Sequence, residues 1–274
     1  MPTYQQLRLD LAAALTRLLD PREAAAESVR IFEEGLGRSR AWLAAHGDED
    51  APEAVQRQVE AWLERRRLGE PWAYLLGWTL WRGRRFEVRP TTLIPRPETE
   101  LVLEAALEVG RHLQVRRCVD VGTGSGILAI TLALETAWEV SATDLSPEAL
   151  EVARTNAATL GAKVAFHAGH LLDPLPGPPG LVVSNPPYVD EADRPTLQPE
   201  LSFEPSMALF APERGLALST ELLAEARRRE ALGCVLEIGA GQGAELVGRA
   251  RAAGWKRASC HQDLAGHDRI LIAF

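Results

Sequence analysis

The chain has 274 residues, 46% of them hydrophobic, with a formal net charge of −8. That is ample for a buried core and, by length, one or two domains, while the acidic balance argues against broad attraction to nucleic acid. No apolar run reaches the length of a membrane span, and the Met1-Pro2-Thr3-Tyr4 start lacks the charged and apolar regions of a signal peptide, so a cytoplasmic protein with no membrane partner is expected.

Residues 1–70 read as a small helical bundle. Tyr4, Leu7, Leu11, Leu15 and Leu18 recur at three- and four-residue spacing, one face of a helix. Asp20-Pro21-Arg22-Glu23 is a helix start, with Asp as cap, Pro in the first turn and Glu three after the cap. Ser39 opens a short helix with Trp42 and Leu43, and Asp50-Ala51-Pro52-Glu53 opens another that carries Val55, Val59, Trp62 and Leu63 and ends at Gly69. No acid–base or metal constellation occurs here, so the bundle reads as a substrate-docking domain. Residues 71–95 change character. Trp72, Tyr74, Trp78, Trp81 and Phe86, with a turn at Arg82-Gly83, predict a linking β-hairpin. Arg65-Arg66-Arg67 with Arg82, Arg84 and Arg85 is either a local basic patch or a solvated helix end.

Residues 96–274 alternate strand and helix. Strands are predicted at 118–121, 140–144, 164–166, 181–184 and 234–238, which implies a mostly parallel sheet covered on both faces. Two further runs, near 257–261 and 269–274, are joined by the short loop Asp263–Asp268 and should pair antiparallel. The three cysteines, Cys118, Cys234 and Cys260, sit far apart in apolar runs and read as buried free thiols. The histidines form no metal-ligand set, and no metal is expected.

Two motifs carry chemistry. Gly122-Thr123-Gly124-Ser125-Gly126 lies between a strand and a helix, where glycines let backbone approach a ligand. Asp144 follows about twenty residues later, at the end of the next strand, where a carboxylate can hold both ribose hydroxyls. The spacing is not the dinucleotide fingerprint, and no phosphate-loop lysine follows. A ligand with ribose but no phosphate fits, and S-adenosylmethionine is the candidate; the plain alternative is a tight turn with a helix-capping Asp. A second run, Glu237-Ile238-Gly239-Ala240-Gly241-Gln242-Gly243, is read as a purely structural strand-to-helix turn.

Asn185-Pro186-Pro187-Tyr188 ends the fourth strand. The prolines fix the backbone and hold Asn185 in extended geometry. The Asn185 side chain, the Pro186 carbonyl and the Tyr188 ring form a cup for a planar group with NH₂ donors, a carboxamide or an exocyclic base amine; a proline-stiffened loop is the plain alternative. If strands one and four are neighbours, this cup and the glycine turn face one crevice at the switch in strand order.

The chain resembles the peptide chain release factor glutamine methyltransferases (PrmC/HemK) through Leu93-Ile94-Pro95-Arg96-Pro97-Glu98-Thr99-Glu100, Asp120-Val121 with the glycine turn, Asn185 to Tyr188, Phe203-Glu204-Pro205 with Ala208-Leu209, and Asp263-Leu264-Ala265-Gly266-His267-Asp268-Arg269. The resemblance implies a Rossmann-like, seven-stranded class I methyltransferase domain behind a helical bundle and linking hairpin. It implies S-adenosyl-L-methionine as donor, S-adenosyl-L-homocysteine as product, and as acceptor the glutamine of Gly-Gly-Gln in class-one release factors. By motif position, Gly122 to Gly126 hold the methionine part, Asp144 the ribose, and Asn185, Pro186, Pro187 and Tyr188 the substrate glutamine, with Asn185, Pro186 and Tyr188 catalytic and Asn185 also beside the cofactor. Two positions depart from the family pattern. Ala168-Gly169-His170-Leu171 stands where an acidic residue often contacts the adenine, so Leu171 is expected to pack there, and Leu80-Trp81 replaces a common Glu-Phe pair. The rival readings are a nucleic-acid adenine-N6 methyltransferase and a non-catalytic S-adenosylmethionine-binding adaptor.

Overall fold

The computed structural model describes residues 1–274, which divide into two compact units, Met1–Gly77 and Trp78–Phe274. No helix is long and apolar enough to cross a membrane.

The first unit is helical: α1 (Tyr4–Leu15), α2 (Pro21–Arg30), α3 (Arg40–His46), α4 (Glu53–Arg67) and α5 (Trp72–Leu76). The α2 start is the capping box that the sequence spells. Asp20 Oδ1 accepts from the Arg22 and Glu23 amides while the Glu23 carboxylate reaches back to the Asp20 amide. Tyr4, Leu7, Leu11 and Leu15 face the core with Phe32 and Trp62, whereas Leu18 lies past the end of α1 and is exposed. Arg66 is buried on α4 and forks onto the Glu27 carboxylate. The expected hairpin beginning at residue 71 is corrected here. Residues 72–76 are helix, because Trp72 packs edge-on against Trp62 at 5.2 Å and its indole N–H donates to Glu34. Burial against a helical neighbour overrode the strand-like spacing of the aromatics.

The hairpin proper is β1 (Trp78–Trp81) and β2 (Arg84–Glu87), joined by Arg82 and Gly83, both at positive φ as a two-residue hairpin turn requires. It belongs to the second unit. Trp81 and Phe86 enter that unit's core, and the Asn156 side chain bonds both backbone groups of Glu87 and the Ser125 carbonyl. The cationic clusters are neutralised: Arg82 meets Glu100, Glu104 and Glu135, Arg84 meets Glu135, Arg65 meets Glu70, and Arg67 meets Glu64. Arg85 lies over the Trp78 ring.

The rest of the second unit runs α6 (Thr99–His112), β3 (Arg117–Val121), α7 (Ile127–Glu135), β4 (Glu139–Asp144), α8 (Pro147–Leu160), β5 (Val164–Ala168), β6 (Leu181–Ser184), α9 (Ser206–Leu209), α10 (Pro212–Gly215), α11 (Ala217–Arg228), β7 (Gly233–Glu237), α12 (Gly243–Ala252), β8 (Ala258–Gln262) and β9 (Asp268–Ala273). The seven strands lie in the order β5-β4-β3-β6-β7-β9-β8, and β9 alone runs against its neighbours. The antiparallel last pair is as the sequence predicts, and β3 and β6 are neighbours, which meets the condition for the cup and the glycine turn to share a crevice. Side chains alternate between the two faces. Cys118, Leu181, Val183 and Val235 meet α6, α7 and the hairpin, while Val119, Val182, Cys234 and Leu236 meet α11 and α12. The strand order switches between β3 and β6, which opens a crevice beyond their carboxyl ends.

Candidate active site

That crevice is a cavity of about 320 Å³ whose wall includes Gly122, Thr123, Gly124, Ser125, Asp144, Leu171, Asn185, Pro186 and Pro187. The sequence-predicted residues therefore converge from β3, β4, β6 and the turn after β5, with two exceptions. Gly126 and Tyr188 do not line the cavity. A Cβ on Gly126 would meet Ile130 at 2.8 Å and Ala153 at 3.2 Å, so this glycine lets α7 pack on α8. Tyr188 stands behind the wall, its hydroxyl donating to Glu237 Oε1 at 3.1 Å. Burial and the Glu237 charge push that phenol well above its ordinary range.

Gly122 and Gly124 hold φ of +68° and +56° with open space where a Cβ would stand. The positive φ strains any side chain there, and the open space leaves room for a ligand. Asp144 braces this turn: its Oδ2 accepts from the Gly124 amide and its Oδ1 from the Ser146 amide, each at 2.9 Å. Ser146 in turn caps α8. Asp144 thus braces the turn and borders the cavity at once without capping α8 itself, and burial raises its pKa against those bonds. Leu171 sits at φ +41° and its carbonyl accepts from Thr143 Oγ1 at 2.7 Å. Neighbouring His170 reaches out to Glu221.

Three groups that the sequence reading left without a role complete the site. Asp120, 1% exposed, borders the cavity; its Oδ2 accepts from Thr123 Oγ1 at 2.6 Å and the Ala129 amide at 3.1 Å. Burial pushes its carboxyl up to about 7. Glu237, 0% exposed, takes the Thr99 hydroxyl at 2.7 Å on Oε2 and the Tyr188 hydroxyl on Oε1. Burial raises its pKa, opposed by those two donors and by Arg269, with Glu98 adding to the rise. Thr99 also receives the Asn185 amide, Nδ2 to Oγ1 at 3.1 Å. A lone carboxylate inside an apolar buried strand, as in Cys118-Val119-Asp120-Val121 and Cys234-Val235-Leu236-Glu237, was the available signal.

Two loops close the wall. The buried Glu204 carboxylate bonds the Arg96 guanidinium and, at 3.0 Å, the Ile94 amide, which ties the Leu93–Arg96 run to the Glu204-Pro205 corner. Behind Tyr188, Glu213, Arg214 and Gly215 all take left-handed backbone. Gly215 is required there, since a Cβ would lie 1.9 Å from the Tyr188 oxygen. Gln242 folds back to donate to the Tyr188 and Arg214 carbonyls and to accept from the Gly239 amide.

Residues 9–77 match the family model described as the PrmC N-terminal domain, and residues 99–201 match the methyltransferase small domain. The chain is 43% identical to the release factor glutamine methyltransferase of Deinococcus radiodurans over 89% of this chain and 88% of that one. It is 42% identical to the Bordetella pertussis protein of the same name over 92% and 96%. Among solved structures, the hMettl16 catalytic domain superposes with a TM-score of 0.56 at 14% identity, covering 81% of each chain, a likeness of fold. The chain belongs to the release factor glutamine methyltransferase family.

Proposed function

We propose that this protein transfers a methyl group from S-adenosyl-L-methionine to the side-chain amide nitrogen of the glutamine in the Gly-Gly-Gln motif of class-one peptide chain release factors, in support of translation termination. The observation that carries this reading is one cavity bordered by both the glycine turn and the Asn185–Pro187 corner. The residues present fit the cofactor. Gly122 and Gly124 form a cradle that Cβ atoms would fill, and two carboxylates, Asp120 and Asp144, suit a cationic, ribose-bearing ligand. When bound, the cofactor supplies an electrophilic methyl on a sulfonium. Leu171 borders the cavity beside Asp144's end of the sheet and offers apolar packing for the adenine.

An amide nitrogen is a weak nucleophile because its lone pair is delocalised into the carbonyl. Asn185 Nδ2 is engaged by Thr99, so Oδ1 is the atom left to accept from a substrate NH₂, together with the Pro186 carbonyl. Two acceptors aimed at one NH₂ group orient the nitrogen and stabilise positive charge as it grows there. Such positioning removes up to roughly 7–11 kcal/mol of barrier. Tyr188 acts by holding the corner, not by facing the amide. The helical unit is the docking module for the protein substrate.

Asn185 and its neighbours also suit a base amine, but an adenine methyltransferase needs an extruded base and a cationic surface. Here the arginine clusters are paired with carboxylates and the net charge is −8. The test is incubation with labelled S-adenosylmethionine and release factor, DNA or RNA, followed by mass spectrometry. Label on the Gly-Gly-Gln glutamine is expected. Label on nucleic acid alone, or on nothing, overturns the proposal.

A further inference from the structure

We infer that Glu237 and Thr99 are positioning residues that set which atom of the Asn185 amide faces the substrate. The inference rests on the proposed glutamine methylation and deepens it. The argument is one of hydrogen-bond polarity. An ionised carboxylate only accepts. Glu237 is completely buried and receives two hydroxyls, Thr99 Oγ1 at 2.7 Å and Tyr188 Oη at 3.1 Å. A hydroxyl has one hydrogen, so Thr99, having given its own to Glu237, can only accept from its other neighbour. That neighbour is the Asn185 amide at 3.1 Å, and the atom it presents must be Nδ2. Oδ1 is thereby turned toward the cavity as an acceptor for substrate NH₂ hydrogens. Were Asn185 reversed, its own NH₂ would confront the substrate's, donor against donor. Glu237 thus decides the polarity of a group it never touches and anchors Tyr188 from the same carboxylate. Both outer residues of the Asn185–Tyr188 corner hang from one buried carboxylate.

Five variants and one measurement on the unaltered protein test this. Thr99→Val keeps the shape and loses the hydroxyl. It is expected to lower kcat about tenfold, roughly one net hydrogen bond's worth, with cofactor affinity little changed and the thermal midpoint lowered, since the buried Glu237 carboxylate loses a donor. Thr99→Ser restores the hydroxyl and is expected to return kcat to within about twofold. Combining Thr99→Val with Glu237→Gln is expected to cost no more than the worse single change, since both act through one chain of bonds. In the wild-type protein, the Asn185 side-chain amide resonance, identified by its loss in Asn185→Ala, is expected to exchange slowly with solvent. Thr99→Val at the wild-type kcat, failure of Thr99→Ser to rescue, multiplicative losses in the double variant, or a freely exchanging Asn185 amide each overturns the inference. Wild-type protein with a protected Asn185 amide that leaves release factor unmethylated breaks the glutamine-methylation reading, and with it the positioning role, while leaving the bonded chain standing.

Discussion

Two strand–turn–helix units in one sheet start from nearly the same words. The turn after β3 is Asp120-Val121-Gly122-Thr123-Gly124-Ser125-Gly126, and the turn after β7 is Glu237-Ile238-Gly239-Ala240-Gly241-Gln242-Gly243. Each carries a buried carboxylate two residues before its first glycine, and each is braced by a distant Asp: Asp144 accepts from the Gly124 amide, Asp268 from the Gly243 amide. They end as opposites. The first opens onto a cavity. The second is filled by its own Gln242, which occupies the Gly239 amide and clamps the Tyr188 carbonyl. A Cβ on Gly243 would strike Cys260 Sγ at 2.4 Å, so that glycine serves packing against β8. What separates them is place in the sheet. The β3 turn stands at the switch in strand order, where no crossover covers it; the β7 turn lies between β6 and antiparallel β9. The motif permits a ligand site, and topology decides whether one exists. The second turn has become the buttress of the first turn's partner.

The sharpest way to break this contrast is to place the same side chain in both turns. Gly124 and Gly241 both sit at positive φ with open space around them. Valine at either carries the left-handed penalty of roughly 1–2 kcal/mol. Gly124→Val also projects into the cavity and is expected to weaken S-adenosylhomocysteine binding at least about a hundredfold, or ~2.7 kcal/mol, by calorimetry. Gly241→Val is expected to cost stability alone. Equal losses of affinity would show that the second turn also holds ligand.

Next in size come the two bracing carboxylates. Asp144→Ala removes the brace and a group facing the cavity, so cofactor affinity is expected to fall about ten- to a hundredfold, ~1.4–2.8 kcal/mol. Asp268→Ala removes only a brace and is expected to lower unfolding stability by about 1 kcal/mol with affinity unchanged. Unaltered affinity in Asp144→Ala would remove its ribose role.

Much of this was legible from local chemistry. The α2 capping box, the Arg82-Gly83 turn and the antiparallel end all follow from residues that dictate their own neighbours' backbone. Nine of the expected site residues border the cavity because glycine spacing and strand order place them together. What escaped was direction and distant partnership. Tyr188 and Gly126 have sequence positions that suit a ligand, yet nothing local says that one turns back to Glu237 and the other onto Ala153. Trp72 and Tyr74 share strand-like spacing but sit in α5, because Trp62 lies ten residues upstream. The Glu237–Thr99–Asn185 chain joins residues 138 and 86 positions apart in sequence, and no periodicity reports such a link.

A smaller effect should follow from emptying the second turn. Gln242→Ala leaves the Tyr188 and Arg214 carbonyls and the Gly239 amide without their side-chain partner. A stability loss of about 1–3 kcal/mol in denaturant unfolding is expected, with cofactor affinity intact and turnover reduced a few-fold. Lost cofactor affinity would mean that the two turns are not independent.

The finest distinction lies in the two buried carboxylates. Glu237 has hydroxyl donors on both oxygens and Arg269 nearby; Asp120 has Thr123 and one amide on a single oxygen, with Asp144 adding repulsion. Burial raises Asp120 to about 7 from an ordinary value of 3.8, against its two hydrogen bonds and with Asp144 adding to the rise. In the cofactor-free protein its contribution to stability is fully present below the ordinary carboxylate range and is lost as pH rises through about 7. A cation in the cavity favours the ionised form and drives the proton off. Calorimetry of S-adenosylmethionine binding at pH 6.5, in buffers of different ionisation enthalpy, is expected to show release of a fraction of one proton; at pH 8.5 release is expected to vanish. Asp120→Asn keeps an acceptor oxygen for Thr123 and Ala129 and is expected to abolish the difference, while Glu237→Gln, remote from the cation behind the Asn185 corner, is expected to preserve it. Release that survives in Asp120→Asn and disappears in Glu237→Gln would reverse the assignment of the two charges, one to the cofactor and one to the acceptor amide.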